Sequence, residues 1–133
     1  MARSVAKKAM IPAGYGRIIN IASMYGLVGN KIASASPYHA AKGGVVNLTR
    51  ALAAEWGDKG ITVNSICPGY FETPLTKETL ESEFFQNYAR TMIPMGRYGI
   101  EGELDTAAIF FASRCSTYVN GVICPVDGGY TVL

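Results

Sequence analysis

Tyr38 and Lys42 are the residues of this 133-residue chain whose types and spacing point most directly to chemistry. They stand four apart, so on a helix they lie one above the other on the same face. An ammonium fixed beside a phenol favours the phenolate, and so helps the hydroxyl trade protons near neutral pH. Of the eight tyrosines, only Tyr38 has a lysine four residues further on. By itself such a pair reads as a solvated contact on a helix surface. Its surroundings change that reading.

The pair opens the longest helical pattern in the chain, about residues 37–57. Ser36 or Ser34 is placed to cap it, with Pro37 in its first turn. Val45, Leu48, Leu52 and Trp56 make the expected sheet-facing stripe, while Gly44, Val46, Ala53 and Ala54 leave a second small or apolar side. On either side stand two short β-branched runs, 17–23 and 61–67, read as parallel strands buried on both faces. Strand, long helix and strand form a right-handed crossover. A helical period over 2–13 precedes it. Helices over 77–91 and 101–112 follow, with Leu80, Phe84, Tyr88 and Phe85 sharing a face of the first. A third strand over 121–126 ends in Asp127-Gly128-Gly129. The order αβαβααβ predicts a layered α/β fold on a parallel sheet, one domain over 1–133. Strand 17–23 is left as an open, hydrophobic edge.

Composition narrows the function classes. Hydrophobic residues are 49% of the chain and charged residues 17%, which favours much buried or interfacial surface. Net charge is +2 without a basic run, which argues against nucleic acid or an anionic membrane as partner. No apolar run approaches the length of a membrane span. Cys67, Cys115 and Cys124 are odd in number and widely spaced, and read as reduced thiols of a cytoplasmic protein. With His39 the only histidine, no metal site is expected. The acid-free start, Met1 to Lys8, faintly resembles a targeting peptide but lacks an apolar core. The competing reading makes it the tail of a helix that begins earlier.

Ligands of open α/β sheets bind beyond the carboxyl ends of the strands. Ser23 ends the first strand there, Tyr38 and Lys42 lie in the first turns of the helix that follows, and Pro68-Gly69-Tyr70-Phe71-Glu72-Thr73 ends the second strand. Asn20-Ile21-Ala22-Ser23, Tyr38-x-x-x-Lys42, Pro68-Gly69-x-x-x-Thr73 and Val126-Asp127-Gly128-Gly129, in that order, resemble the C-terminal half of short-chain dehydrogenase/reductases. Within that family, Ser23 to Lys31, Pro37-Tyr38-His39-Ala40, Gly69 to Thr73, Gly102 to Asp105 and Asp127 to Tyr130 resemble the gluconate 5-dehydrogenase (5-ketogluconate reductase) branch. Polyol and 3-oxoacyl reductases share much of that pattern.

The resemblance implies a Rossmann-like three-layer α/β/α fold, here the C-terminal half of a doubly wound parallel sheet, and NAD or NADP as cofactor. Tyr38 would be the general acid for carbonyl reduction or the base for alcohol oxidation. Lys42 would favour its phenolate and hydrogen-bond the nicotinamide ribose. Ser23 would hold the substrate oxygen. Pro68-Gly69 would let backbone approach the nicotinamide, with the backbone at Phe71 and the hydroxyl of Thr73 fixing its carboxamide. Tyr25 and Tyr70 either line a sugar-acid pocket or simply pack. A homodimer or homotetramer is the family's expected assembly, through the long helix and helix 2–13; core packing is the alternative use of those faces.

Two departures matter. Ser23 and Tyr38 are 15 apart, so the loop 24–36 carries a small insertion relative to many members. The family's glycine-rich phosphate loop, its NAD/NADP-selecting residue, an Asn-Asn-Ala-Gly segment and a catalytic Asn are not among these residues. The expected function is hydride transfer between NAD(P) and a sugar acid or polyol, or on the alternative substrate reading a 3-oxoacyl thioester. This chain on its own is expected to be inactive, and a rival reading makes it an interaction module. The bland readings are a strand-end cap for Ser23, a turn before Pro74 for Thr73, and a bystander for His39.

Overall fold

The computed structural model describes residues 1–32 and 34–133. At its centre lies β2 (Ile61–Pro68), buried along all but its last residue and paired in parallel on both sides. β1 (Gly16–Ile21) flanks it from Gly16 opposite Ile61 to Ile21 opposite Ile66. β3 (Ile123–Val126) flanks the other side, from Ser65 opposite Ile123 to Pro68 opposite Val126. The parallel α/β architecture and the crossover are therefore as expected. β1 differs in burial: after buried Gly16 its residues are half-buried and Ile21 is 55% exposed, because the sheet ends there. β3 starts two residues later than the apolar run suggested. Two asparagine side chains take backbone bonds at that point: Asn64 Oδ1 accepts from Val122 N at 3.0 Å, and Asn120 Oδ1 from Val63 N at 2.9 Å.

The first helical stretch comprises α1 (Ala2–Val5), a π turn (Ala6–Met10) and α2 (Ile11–Ala13), closed by Gly14 in the left-handed region at φ 62°. α3 (Ser36–Trp56) is the long helix. Its buried stripe is Val46, Thr49, Leu52, Ala53 and Trp56, which corrects the expected one: Leu48 is 49% exposed. Thr49 belongs to the stripe because its hydroxyl is satisfied there, donating to Val45 O and accepting from Asn20 Nδ2, both at 2.9 Å. The expected serine cap is also corrected. The N-cap is Ala35, with no side-chain bond, and Ser36 is already helical.

The predicted helix 77–91 is two helices, α4 (Lys77–Glu81) and α5 (Glu83–Met92). Ser82 interrupts them in an extended conformation and caps α5, its Oγ accepting from Phe85 N at 3.2 Å. The restart turns Phe85 inward, against Leu80, Ala89 and Ile93, and leaves Phe84 69% exposed. α6 (Asp105–Ala112) begins later than the expected helix 101–112, after Gly102 at φ 87° and an ion pair that holds Glu103 on Arg97.

Candidate active site

Ser23 follows β1 in an extended conformation (φ −168°) and starts a 3-10 turn over Met24–Gly26. Its Oγ accepts from Tyr25 N at 3.1 Å, so the cap reading is right about this bond. It is not the residue's only surrounding, since Ser23 also lines a cavity of about 500 Å³ together with Tyr38, Gly69 and Tyr70. Tyr38, in the first turn of α3, is half exposed. Lys42 sits one turn further on. Its ammonium lies 5.7 Å from the Tyr38 ring centroid, within cation–π reach, and donates to the carbonyl of Ile21 at 3.1 Å. Lys42 thereby ties α3 to the carboxyl end of β1, beside the strand end that carries Ser23.

Two glycines bring these pieces together, and sequence spacing did not single out the first. A β-carbon on Gly26 would lie 2.7 Å from Lys42 O, so only glycine lets the serine-bearing turn press on the α3 backbone. A β-carbon on Gly69 would lie 2.7 Å from Asp127 Cα, and Gly69 N donates to Val126 O at 2.9 Å. Gly69, expected to make room for a nicotinamide, thus already makes room for the neighbouring chain. Asp127 in turn ties down the C-terminal turn, accepting from Gly129 N, Thr131 N and Thr131 Oγ1 at 2.7–3.0 Å.

Tyr25 and Tyr70 both line the cavity, and both pack against aromatic neighbours. Their hydroxyls are hydrogen-bonded to each other. Tyr70 meets Phe85, Tyr88 and Tyr130 edge to face at centroid distances of 4.7, 6.1 and 5.9 Å. Tyr88 and Tyr130 share a second hydroxyl bond at 2.7 Å. Burial pushes the Tyr25 and Tyr70 phenols above their ordinary range, and for Tyr25 the bond to Tyr70 adds to this. Nothing in the sequence periodicity brings Tyr130 to this cluster. His39 keeps to its own helix end, with Nδ1 2.8 Å from Ala35 O and its ring 4.8 Å from that of Tyr25.

The remaining predicted residues lie elsewhere around the β2 end. Pro68 is the last residue of β2, and Phe71 forms an isolated parallel bridge with Gly99. Thr73 is folded into a turn, its Oγ1 2.9 Å from Thr76 Oγ1 and accepting from Thr76 N at 3.2 Å. It lines a separate depression with Glu72, Lys77 and Glu101 rather than the Ser23 cavity. Among the described residues no group of acidic, cysteine or histidine side chains is arranged to hold a metal ion, and no helix is long and apolar enough to cross a membrane.

Ser23 at a strand end, Tyr38 on α3 and Gly69 after β2 thus line one cavity at the sheet's carboxyl rim, with Lys42 outside the lining, one helical turn from Tyr38. A family model described as enoyl-(acyl carrier protein) reductase matches residues 1–131, and the chain belongs to the short-chain dehydrogenase/reductase family. It is 48% identical over 126 residues to galactitol 2-dehydrogenase (L-tagatose-forming) of Cereibacter sphaeroides, covering 94% of this chain and 49% of that protein. It is 42% identical over 123 residues to gluconate 5-dehydrogenase of Gluconobacter oxydans, covering 92% and 47%. The crystal structure of a gluconate 5-dehydrogenase from Burkholderia cenocepacia J2315 in complex with NADP and tartrate matches with a TM-score of 0.90 at 41% identity, over 99% of this chain and 51% of that one. The chain spans about half the length of the curated relatives it matches.

Proposed function

We propose that residues 1–133 form one domain, the catalytic half of an NAD(P)-dependent oxidoreductase that interconverts the CH–OH and ketone of a sugar acid or polyol, of the gluconate/5-ketogluconate kind. The observation that carries this reading is the cavity shared by Ser23 and Tyr38, with Lys42 anchored one turn behind. The donor set suits the nicotinamide-ribose end of the cofactor: a half-exposed phenol, and an ammonium that keeps further protons to donate beside the one given to Ile21 O. Tyr38, Lys42, Pro68, Gly69, Phe71 and Thr73 would hold that end. Thr73 would do so through whatever its turn with Thr76 leaves available. The bound cofactor supplies or accepts the hydride. In the reducing direction Ser23 donates a hydrogen bond to the substrate carbonyl oxygen, and Tyr38 transfers its phenolic proton to that oxygen as it becomes a hydroxyl. In the oxidising direction Tyr38 takes the hydroxyl proton back. Lys42 holds positive charge beside the phenolate in both.

The wider reading is of a cytoplasmic homodimer or homotetramer, a setting in keeping with three cysteines that are all unpaired. A second reading, an inactive module that pairs through its helices, draws on the exposure of Leu48 on α3 and of Ile109 and Phe110 on α6. Titration of NADH and NADPH, followed by dihydronicotinamide emission and then by its loss on adding 5-ketogluconate, separates the two. Trp56 is a poor reporter for this purpose, because at 1.5 Å per residue it stands roughly 27 Å along α3 from Tyr38. Cofactor oxidation is expected once the adenine- and phosphate-holding part is supplied, and the chain alone is expected to stay silent. An inactive module would oxidise nothing in either arrangement.

A further inference from the structure

We infer that Tyr130, in the C-terminal turn, is a positioning residue for Ser23 and acts through Tyr25: its ring holds Tyr25 in place, and the Tyr25 N–H fixes which way the serine hydroxyl points. The inference rests on the reading of Ser23 as donor to the substrate oxygen, and adds what aims that donor.

Ser23 is buried, and its Oγ accepts from Tyr25 N at 3.1 Å. A serine hydroxyl has one proton to give and two lone pairs that receive. With Tyr25 N on one lone pair, the proton is directed away from it, which leaves it for the cavity that Ser23 lines. Accepting a bond also strengthens a hydroxyl as a donor. The aim of that bond follows the Tyr25 backbone, which lies in a single 3-10 turn, Met24–Gly26. So short a turn has little stiffness of its own. The Tyr25 side chain supplies the restraint. Its ring packs on His39 of α3 at 4.8 Å, and meets Tyr70 and Tyr130 edge to face at 6.1 and 6.2 Å. Its hydroxyl bonds to that of Tyr70. Tyr130 braces both members of this pair, since its ring also meets Tyr70 at 5.9 Å. Tyr130 is itself fixed at two points. Its hydroxyl is tied to Tyr88 of α5 at 2.7 Å. Its backbone is clamped on either side by Asp127, whose Oδ1 accepts from Gly129 N at 2.9 Å and whose Oδ2 accepts from Thr131 N at 3.0 Å and Thr131 Oγ1 at 2.7 Å.

The test is amide hydrogen exchange, read by NMR on the 133-residue chain at Tyr25 and at Ala22, whose N–H donates to Ile66 O at 2.9 Å and so reports the sheet. Ser23→Ala removes the acceptor and should speed exchange at Tyr25 alone. Tyr130→Leu removes the ring and is expected to speed Tyr25 by about threefold or more, with Ala22 unchanged. Tyr130→Phe keeps the ring edges and should restore the parent's rate at Tyr25. A merely structural loss would speed both amides together. If Tyr130→Leu does so, the milder Asp127→Asn decides, because it leaves one acceptor oxygen where the turn uses two. Acceleration confined to Tyr25 in that variant supports the inference, and any other result there overturns it. A Tyr25 amide that keeps the parent's rate in Tyr130→Leu or in Ser23→Ala overturns it as well, as does a phenylalanine variant as fast as the leucine one. Neither substrate nor cofactor enters this readout. The positioning role can therefore fail while the proposed reaction stands, and a failure of the reaction leaves the amide result in place.

Discussion

Gly26 and Lys42 touch through their backbones: a β-carbon added to Gly26 would sit 2.7 Å from the Lys42 carbonyl oxygen and 2.8 Å from its carbonyl carbon. This contact sets how close the turn that begins at Ser23 can come to the helix that carries Tyr38 and Lys42. Gly26→Ala must push one of two backbones aside. The expected cost is about 1–3 kcal/mol in denaturant unfolding. In a turnover assay its loss of kcat is expected to exceed its change in KM, because the serine and tyrosine are moved relative to each other.

Gly69 is a parallel case with a different neighbour. Gly69→Ala sets a β-carbon against Asp127 Cα and Cβ, and its cost in a thermal melt is expected to be similar, about 1–3 kcal/mol. An alanine variant as stable as the parent would mean that this glycine is there for a ligand alone.

Ser82 separates α4 from α5, and its hydroxyl caps the second helix. Ser82→Ala is expected to lose about 1 kcal/mol of stability and Ser82→Gly only a few tenths, measured by urea unfolding. The reverse order would show that the break has another cause.

These glycines and Ser82 mark where the sequence stops being legible. The placing of Ser23 after a strand end and of Tyr38 and Lys42 one turn apart on α3 could be read in advance, because strand ends and helix spacing fix them locally. The parallel sheet was legible for a similar reason: β2 is a short run rich in β-branched residues between Gly60 and Pro68-Gly69. Thr49 was missed as a core residue because a threonine looks polar until Asn20 and Val45 are seen to satisfy it. The break at Ser82 was visible only as a serine two residues ahead of a phenylalanine pair. The Tyr25, Tyr70, Tyr88 and Tyr130 cluster joins four separate segments, which no periodicity can show.

Acid should act on the Arg97–Glu103 pair. The Arg97 guanidinium, followed by the backbone N–H of Ile100, holds the Glu103 carboxyl down to about 2 from an ordinary 4.5. Because the folded-state value is the lower one, the contribution to stability is fully present above about pH 4.5. It is lost as pH falls towards 2. Melting temperature followed from neutral pH downwards should therefore fall across that window, and Glu103→Gln should flatten that part of the curve. A variant with an undiminished acid slope would assign it to other carboxylates.

Thr73 allows the turn and the cofactor reading to be told apart. Thr73→Ala loses the bonds with Thr76, and a destabilisation of less than about 1 kcal/mol is expected, which Thr73→Ser should restore. If the hydroxyl also fixes a carboxamide, KM for the cofactor rises in the alanine variant beyond what the stability change accounts for.

In the proposed reaction Tyr38 moves the proton. The most direct measurement joins residues 1–133 to the part of the Cereibacter sphaeroides galactitol 2-dehydrogenase that this chain does not match, and follows dihydronicotinamide absorbance with a ketone substrate. Tyr38→Phe in that protein should lower kcat by at least about a hundredfold, with cofactor affinity and melting temperature nearly unchanged. A Tyr38→Phe protein that turns over at the parent's rate would contradict the claim.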